Sequence, residues 1–104
     1  MDYFHEAYRD YLAQNPKKKL KFYLDTIQKN TSYKSIFEIG VGQGLFLEYA
    51  SRRGFKVGGC DINPDAIREA KEHVPISLLF ESRFEDVPVI NFQIIVAFDA
   101  LEHL

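Results

Sequence analysis

The stretch Glu38-Ile39-Gly40-Val41-Gly42-Gln43-Gly44 decides how this chain reads. A short apolar run, Ser35 to Ile39, leads into it. A segment from Gln43 to Arg53 leads out of it, with Phe46, Leu47, Tyr49 and Ala50 at helical spacing and Gly54 as a stop signal. The expectation is a strand, a glycine turn and a helix. Glycines serve such a turn in two ways. They let the chain take up left-handed backbone, and they let a ligand approach that backbone with no Cβ in between. The helix start beyond offers N–H groups that have no intrahelical partner.

Working outward, the same alternation repeats. Phe55 to Cys60 reads as a second strand ending at Asp61. Asn63-Pro64 then reads as a cap followed by proline at the first helical position. Ala66, Ile67, Ala70 and Val74 line one side of that helix, and Pro75 closes it. Ile76 to Phe80 reads as a third strand. Phe92 to Phe98 is a nearly continuous apolar run, the pattern of a strand buried on both faces. Strands alternating with helices imply crossover units and a parallel sheet.

Before the first strand the chain is helical in character, which divides it into a lead-in, residues 1–33, and an α/β part, residues 34–104. Phe4, Ala7, Tyr8, Tyr11 and Leu12 recur at helical spacing. Asn15-Pro16 opens a second helix with Leu20, Tyr23, Leu24 and Ile27 as its apolar stripe. Lys17, Lys18, Lys19 and Lys21 near its start oppose the helix dipole and read as a solvated face.

Composition narrows the function classes. The 104 residues suit one domain, and the net charge of −2 offers no basic footprint for nucleic acid. No apolar run reaches membrane-spanning length, and the start lacks the basic and apolar regions of a signal peptide. The single cysteine, Cys60, rules out an internal disulfide and fits a reducing cytoplasm; it reads as a core residue. No metal site is expected, since Cys60 has no ligand partners at zinc spacing.

The loop itself narrows the ligand. A dinucleotide fingerprint is G-x-G-x-x-G, but here the third glycine falls one position early, at Gly44, and Leu45 fills the expected slot. A phosphate P-loop needs a Gly-Lys-Ser/Thr ending, which is missing. The segment closely resembles the first motif of class I (Rossmann-like) S-adenosylmethionine-dependent methyltransferases, an acidic residue followed by x-G-x-G-x-G. The stretch Val57 to Ile67 resembles that family's next strand, acid, loop and helix. The resemblance spans about Lys34 to Leu104.

The resemblance implies a Rossmann-like half-fold with strand order 3-2-1-4 that binds S-adenosylmethionine between strands one and four. Gly40, Gly42 and Gly44 would form the loop, and Glu38 would serve the methionine ammonium, directly or through water. Asp61, roughly 20 residues after the first glycine, would accept both ribose hydroxyl protons. The other reading of Asp61 is a cap or loop aspartate, although Asn63 already suits the cap. Ile62 would lie against the adenine or else anchor the following helix.

After the third strand, Glu81-Ser82-Arg83-Phe84-Glu85-Asp86 resembles the family's adenine-closing stretch. Arg83 stands where the family has an aspartate for the exocyclic amine, and an arginine accepts no hydrogen bond. The N–H of Phe84 would still reach the ring, with Glu85 as a substitute acceptor; the alternative for Glu85 and Asp86 is an exposed acidic turn. Leu101-Glu102-His103 resembles the sequence after the family's fourth strand. His103 is a weak candidate base, better read as capping or packing, because methyl transfer needs mainly alignment.

The substrate is expected to be a small molecule, with no nucleic acid and no membrane as partner. The chain is expected to be a fragment that stops after its fourth strand. The apolar edge of that strand would then favour self-association, and transfer by the chain alone would be absent or weak. The competing reading is a nucleotide- or adenosylmethionine-binding module without catalysis of its own.

Overall fold

The structure is a computed structural model, and it describes residues 16–88 and 90–98. The helical reading of Phe4 to Leu12 and the Asn15 cap lie outside the described residues. The chain divides into two compact units, Met1–Ser32 and Tyr33–Leu104. In the first, α1 (Pro16–Asn30) follows from the stripe Leu20, Tyr23, Leu24 and Ile27, of which Leu24 is fully buried. Lys29 in the last turn complements the helix dipole.

The second unit runs β1 (Ser35–Ile39), α2 (Leu45–Arg52), β2 (Lys56–Asp61), α3 (Pro64–His73), β3 (Leu78–Glu81), a single 3-10 turn (Phe84–Asp86) and β4 (Ile94–Val96). All strand pairs are parallel, in the order β3-β2-β1-β4. This is the α/β arrangement that the alternation of elements and the family resemblance imply. β1 coincides with its expected span because Ser35, Ile36, Phe37 and Glu38 are all buried, as an interior parallel strand requires.

Side chains alternate across the sheet. On one face Phe37 gathers Phe80, Phe84 and Phe92, with ring centroids 6.4, 6.1 and 5.4 Å away. This packing explains Gly58: a Cβ there would stand 2.7 Å from Phe92 Cζ and 2.8 Å from the Leu78 carbonyl. On the other face a Cβ on Gly59 would meet Val41 Cγ2 at 2.3 Å and the Glu38 carbonyl at 2.8 Å. The Gly58-Gly59 pair in β2 is thus required by packing on both faces. Ile36, Leu47 and Ala70 are fully buried in this core. A side chain such as Ile36 or Leu47 contributes about 1.5–3 kcal/mol by burial.

Two elements depart from expectation. β3 begins at Leu78, not at Ile76, which is 90% exposed. Ser77 Oγ donates to the Val74 carbonyl at 2.6 Å, so this segment is a turn that follows α3 and not part of the strand. The fourth strand keeps only three of the seven residues read as extended, 92–98. Phe92 turns onto Phe37 instead. Gln93 exchanges hydrogen bonds with the start of β1: its Oε1 accepts from the Lys34 N–H at 2.8 Å, and its N–H donates to Ser35 Oγ at 2.8 Å. Ile95 is 51% exposed, so the expectation of a strand buried on both faces does not hold.

Candidate functional site

The carboxyl ends of β1, β2 and β3 converge on one crevice, the place where open parallel sheets bind ligands. Its first part is the loop after β1. Gly40, Gly42 and Gly44 have φ of +78°, +59° and +82°, backbone that side-chain-bearing residues rarely adopt. The N–H groups of Gly40 and Val41 both donate to the Cys60 carbonyl, at 2.8 and 3.2 Å, which ties the loop to β2. Gly44 precedes α2, and a Cβ there would lie 2.9 Å from Ala70 Cα and Cβ. The third glycine therefore lets α2 pack closely on α3. A Cβ on Gly42 would meet nothing within 4 Å.

Asp61 closes the loop from the other side. Its Oδ2 accepts from the Gly42 N–H at 3.0 Å and its Oδ1 from the Asn63 N–H at 2.9 Å. The helix cap belongs to Asn63, whose Oδ1 accepts from the Asp65 N–H at 2.9 Å with Pro64 at the first helical position. Asp61 is thus a clamp between two loops. Its two oxygens carry about four lone-pair sites, and the two backbone bonds leave capacity for further donors.

Beside the clamp lies a cleft of ≈ 360 Å³. Five expected site residues line it: Gly40, Asp61, Ile62, Phe84 and Glu85. Ile62 is 72% exposed, which argues against a buried anchor for α3. Glu38, Gly42 and Gly44 do not line the cleft. Glu38 is buried on the opposite face of β1 from Ile39. His103 lies outside the described residues.

The sequence reading left out Ile39 and Cys60 and named Ser82 and Arg83 only as part of the adenine-closing stretch, yet all four line the cleft. Ile39 and Cys60 stand at the ends of β1 and β2, and strand-end position was the available signal. Burial pushes the Cys60 thiol above its ordinary pKa, partly offset by a hydrogen bond from the Gly40 backbone, so it is a neutral thiol at physiological pH. Arg83 Nη1 lies 3.6 Å from Glu85 Oε1, both side chains being largely exposed. Among the described residues no group of three or more His, Cys, Asp or Glu gathers as a metal site would. No helix among them is long and apolar enough to cross a membrane.

A glycine turn after the first strand, a carboxylate at the end of the second and an apolar cleft beside both form the arrangement that nucleoside-binding α/β proteins use. The sequence profile described as "Methyltransferase domain" matches residues 5–104, and the chain belongs to that family. No curated protein matches it.

Solved structures share the fold. An amino pentose methyltransferase from Micromonospora echinaspora, determined with S-adenosylmethionine bound, aligns with a TM-score of 0.75 and 20% identity over 100% of this chain and 45% of its own. A TehB-like S-adenosylmethionine-dependent methyltransferase from Corynebacterium glutamicum aligns with a TM-score of 0.65 and 22% identity, over 97% of this chain and 56% of its own. An RNA methyltransferase from Salinibacter ruber, in complex with S-adenosylhomocysteine, aligns with a TM-score of 0.67 and 16% identity, over 80% and 58%. The chain spans 45–58% of the length of these three proteins.

Proposed function

We propose that this chain carries the S-adenosylmethionine-binding half of a methyltransferase acting on a small molecule, with residues 34–104 as the cofactor half and 1–33 as a helical lead-in. The observation that carries the reading is the cleft, where Gly40, Asp61, Ile62 and Phe84 meet at the strand ends. The residues fit such a cofactor. Its adenosine needs an apolar wall, which Ile62 and Phe84 supply, and a carboxylate for the ribose hydroxyls, which Asp61 supplies. A pyrophosphate fits less well, because the Gly42 N–H is already given to the Asp61 carboxylate.

In this reading Gly40 lets the ligand approach the backbone, and Asp61 holds the ribose while keeping the loop in place. The Phe84 N–H opens the 3-10 turn, outside that turn's own hydrogen bonds, and serves the adenine ring. Glu38, the buried acid near the end of β1, does not line the cleft and would serve the methionine ammonium through water. When bound, the cofactor supplies a sulfonium methyl. The chain's part is to fix its position against a nucleophile, a proximity effect that needs no dedicated base. A single buried thiol suits a reducing, cytoplasmic setting.

Backbone amide NMR tests the assignment. Titration with S-adenosylhomocysteine is expected to shift the amides of Gly40, Gly42, Ile62 and Phe84 more than those of α1. Saturable binding that leaves the loop amides unmoved would place the ligand elsewhere.

A further inference from the structure

Adenosylmethionine is a chain of four parts: adenine, ribose, sulfonium and an amino-acid end. Taking the cleft as its site, on which the inference rests, the first two parts occupy the β2 and β3 side of the sheet, around Asp61, Ile62 and Phe84. The sulfonium then falls toward the other side of β1, where β4 lies two strand spacings, about 10 Å, from β2. A sulfonium carries a charge but no proton to donate, so it cannot be held by a hydrogen bond to an acceptor. An aromatic ring can hold such a cation directly, through the negative potential of its face.

The sheet brings an aromatic pair to that place. β1 and β4 pair with Glu38 opposite Val96. Two residues beyond Val96, past the carboxyl end of β4, Phe98 sets its ring 4.7 Å from that of Phe46, at 63°. Phe46 is buried in the first turn of α2, directly after the glycine loop. Phe98 is only half-buried. Edge-to-face packing of this kind favours one relative orientation of the two rings. A ring with an open side thus stands at the switch between β1 and β4, held there by Phe46. We infer that Phe98 distinguishes the charged sulfonium of S-adenosylmethionine from the neutral thioether of S-adenosylhomocysteine. The contact disappears when the methyl leaves, so it favours cofactor over product in one and the same site.

The test measures, by calorimetry on the full chain, the ratio of the affinities for S-adenosylmethionine and S-adenosylhomocysteine. Phe98→Leu keeps an apolar side chain but removes the ring. It is expected to lower that ratio about fivefold, the scale of one cation–ring contact at a partly exposed site. The affinity for S-adenosylhomocysteine is expected to stay within about twofold, since a neutral thioether gains little from the ring face. Phe98→Tyr keeps the ring and is expected to hold the ratio within about twofold of the unaltered chain. An NMR readout needs no variant: with S-adenosylmethionine labelled at its methyl carbon, ring currents are expected to move the bound methyl proton signal upfield. An unchanged ratio in Phe98→Leu, an equal loss of both ligands in that variant, or a bound methyl signal that does not move upfield overturns the inference and leaves the cofactor assignment standing. Failure of the unaltered chain to bind either ligand overturns both the inference and the cofactor reading.

Discussion

Replacing Asp61 by alanine separates its two roles, because one affects the fold and the other the ligand. The substitution removes two hydrogen bonds to the carboxylate, from Gly42 at 3.0 Å and from Asn63 at 2.9 Å. A bond to a charged acceptor contributes about 1.5–3 kcal/mol. Asp61 is only half-buried, so water takes over part of what both N–H groups lose. The low end counted once, about 1.5 kcal/mol, is therefore the expected loss of stability. For a domain of this size that lowers Tm by roughly 6–12 °C. Separately, two ribose hydroxyls lose their acceptor, which weakens the cofactor by about 2–3 kcal/mol, or roughly 30- to 150-fold. Asp61→Asn keeps one acceptor oxygen and is expected to fall between. Thermal unfolding measures the first effect, and titration with S-adenosylhomocysteine well below the transition measures the second. A folded Asp61→Ala protein with affinity within about threefold of the unaltered chain would refute the ribose role. An unchanged Tm would refute the clamp.

Gly44→Ala is expected to cost about 2–4 kcal/mol, since its Cβ would press on Ala70 at 2.9 Å from a left-handed backbone, and chemical denaturation will measure it. Gly42→Val, in open space, is expected to cost stability mainly through its φ of +59° yet to abolish cofactor binding by obstructing the ligand's approach to the backbone; wild-type affinity in that variant would place the ligand elsewhere. Because burial raises the Cys60 pKa, the folded chain holds this proton more tightly than the unfolded one. Stability is then fully present below the ordinary thiol pKa and lost as pH rises through and beyond it, above roughly pH 8.5; a denaturation series from neutral to alkaline pH will show whether it falls. The outer side of β4 bears the half-exposed Ile95, and the 104-residue chain is expected to self-associate there; light scattering on the order of tens of micromolar that shows a compact monomer would refute this.

The parts of the fold legible in the sequence are those governed by local rules. β1 is a short apolar run that ends in glycines, and its ends fall where read. Asn63-Pro64 starts α3 as a cap and first-turn proline should, and Ile67, Ala70 and Val74 are buried as their spacing requires. The three loop glycines all take positive φ. What escaped reading depends on partners distant in sequence. Apolarity alone could not show that Ile76 faces solvent, or that Phe92 packs on Phe37 and Gln93 caps the start of β1. Gly58 and Gly59 look like weak strand residues until Phe92 and Val41 are seen to fill the space a Cβ would need. In the site, Asp61 was legible as an acid at a strand end, but its hydrogen bond to Gly42 was not. Arg83 read only as a departure from the family pattern; its approach to Glu85 needed the turn between them.

The central claim is that the cleft beside Asp61 takes a methionine nucleoside. Parallel calorimetric titrations of the full chain with S-adenosylmethionine, S-adenosylhomocysteine and NAD test it most directly. Saturable binding of both methionine nucleosides, tighter than NAD, is the result predicted. Saturable NAD binding with no response to either methionine nucleoside would contradict it.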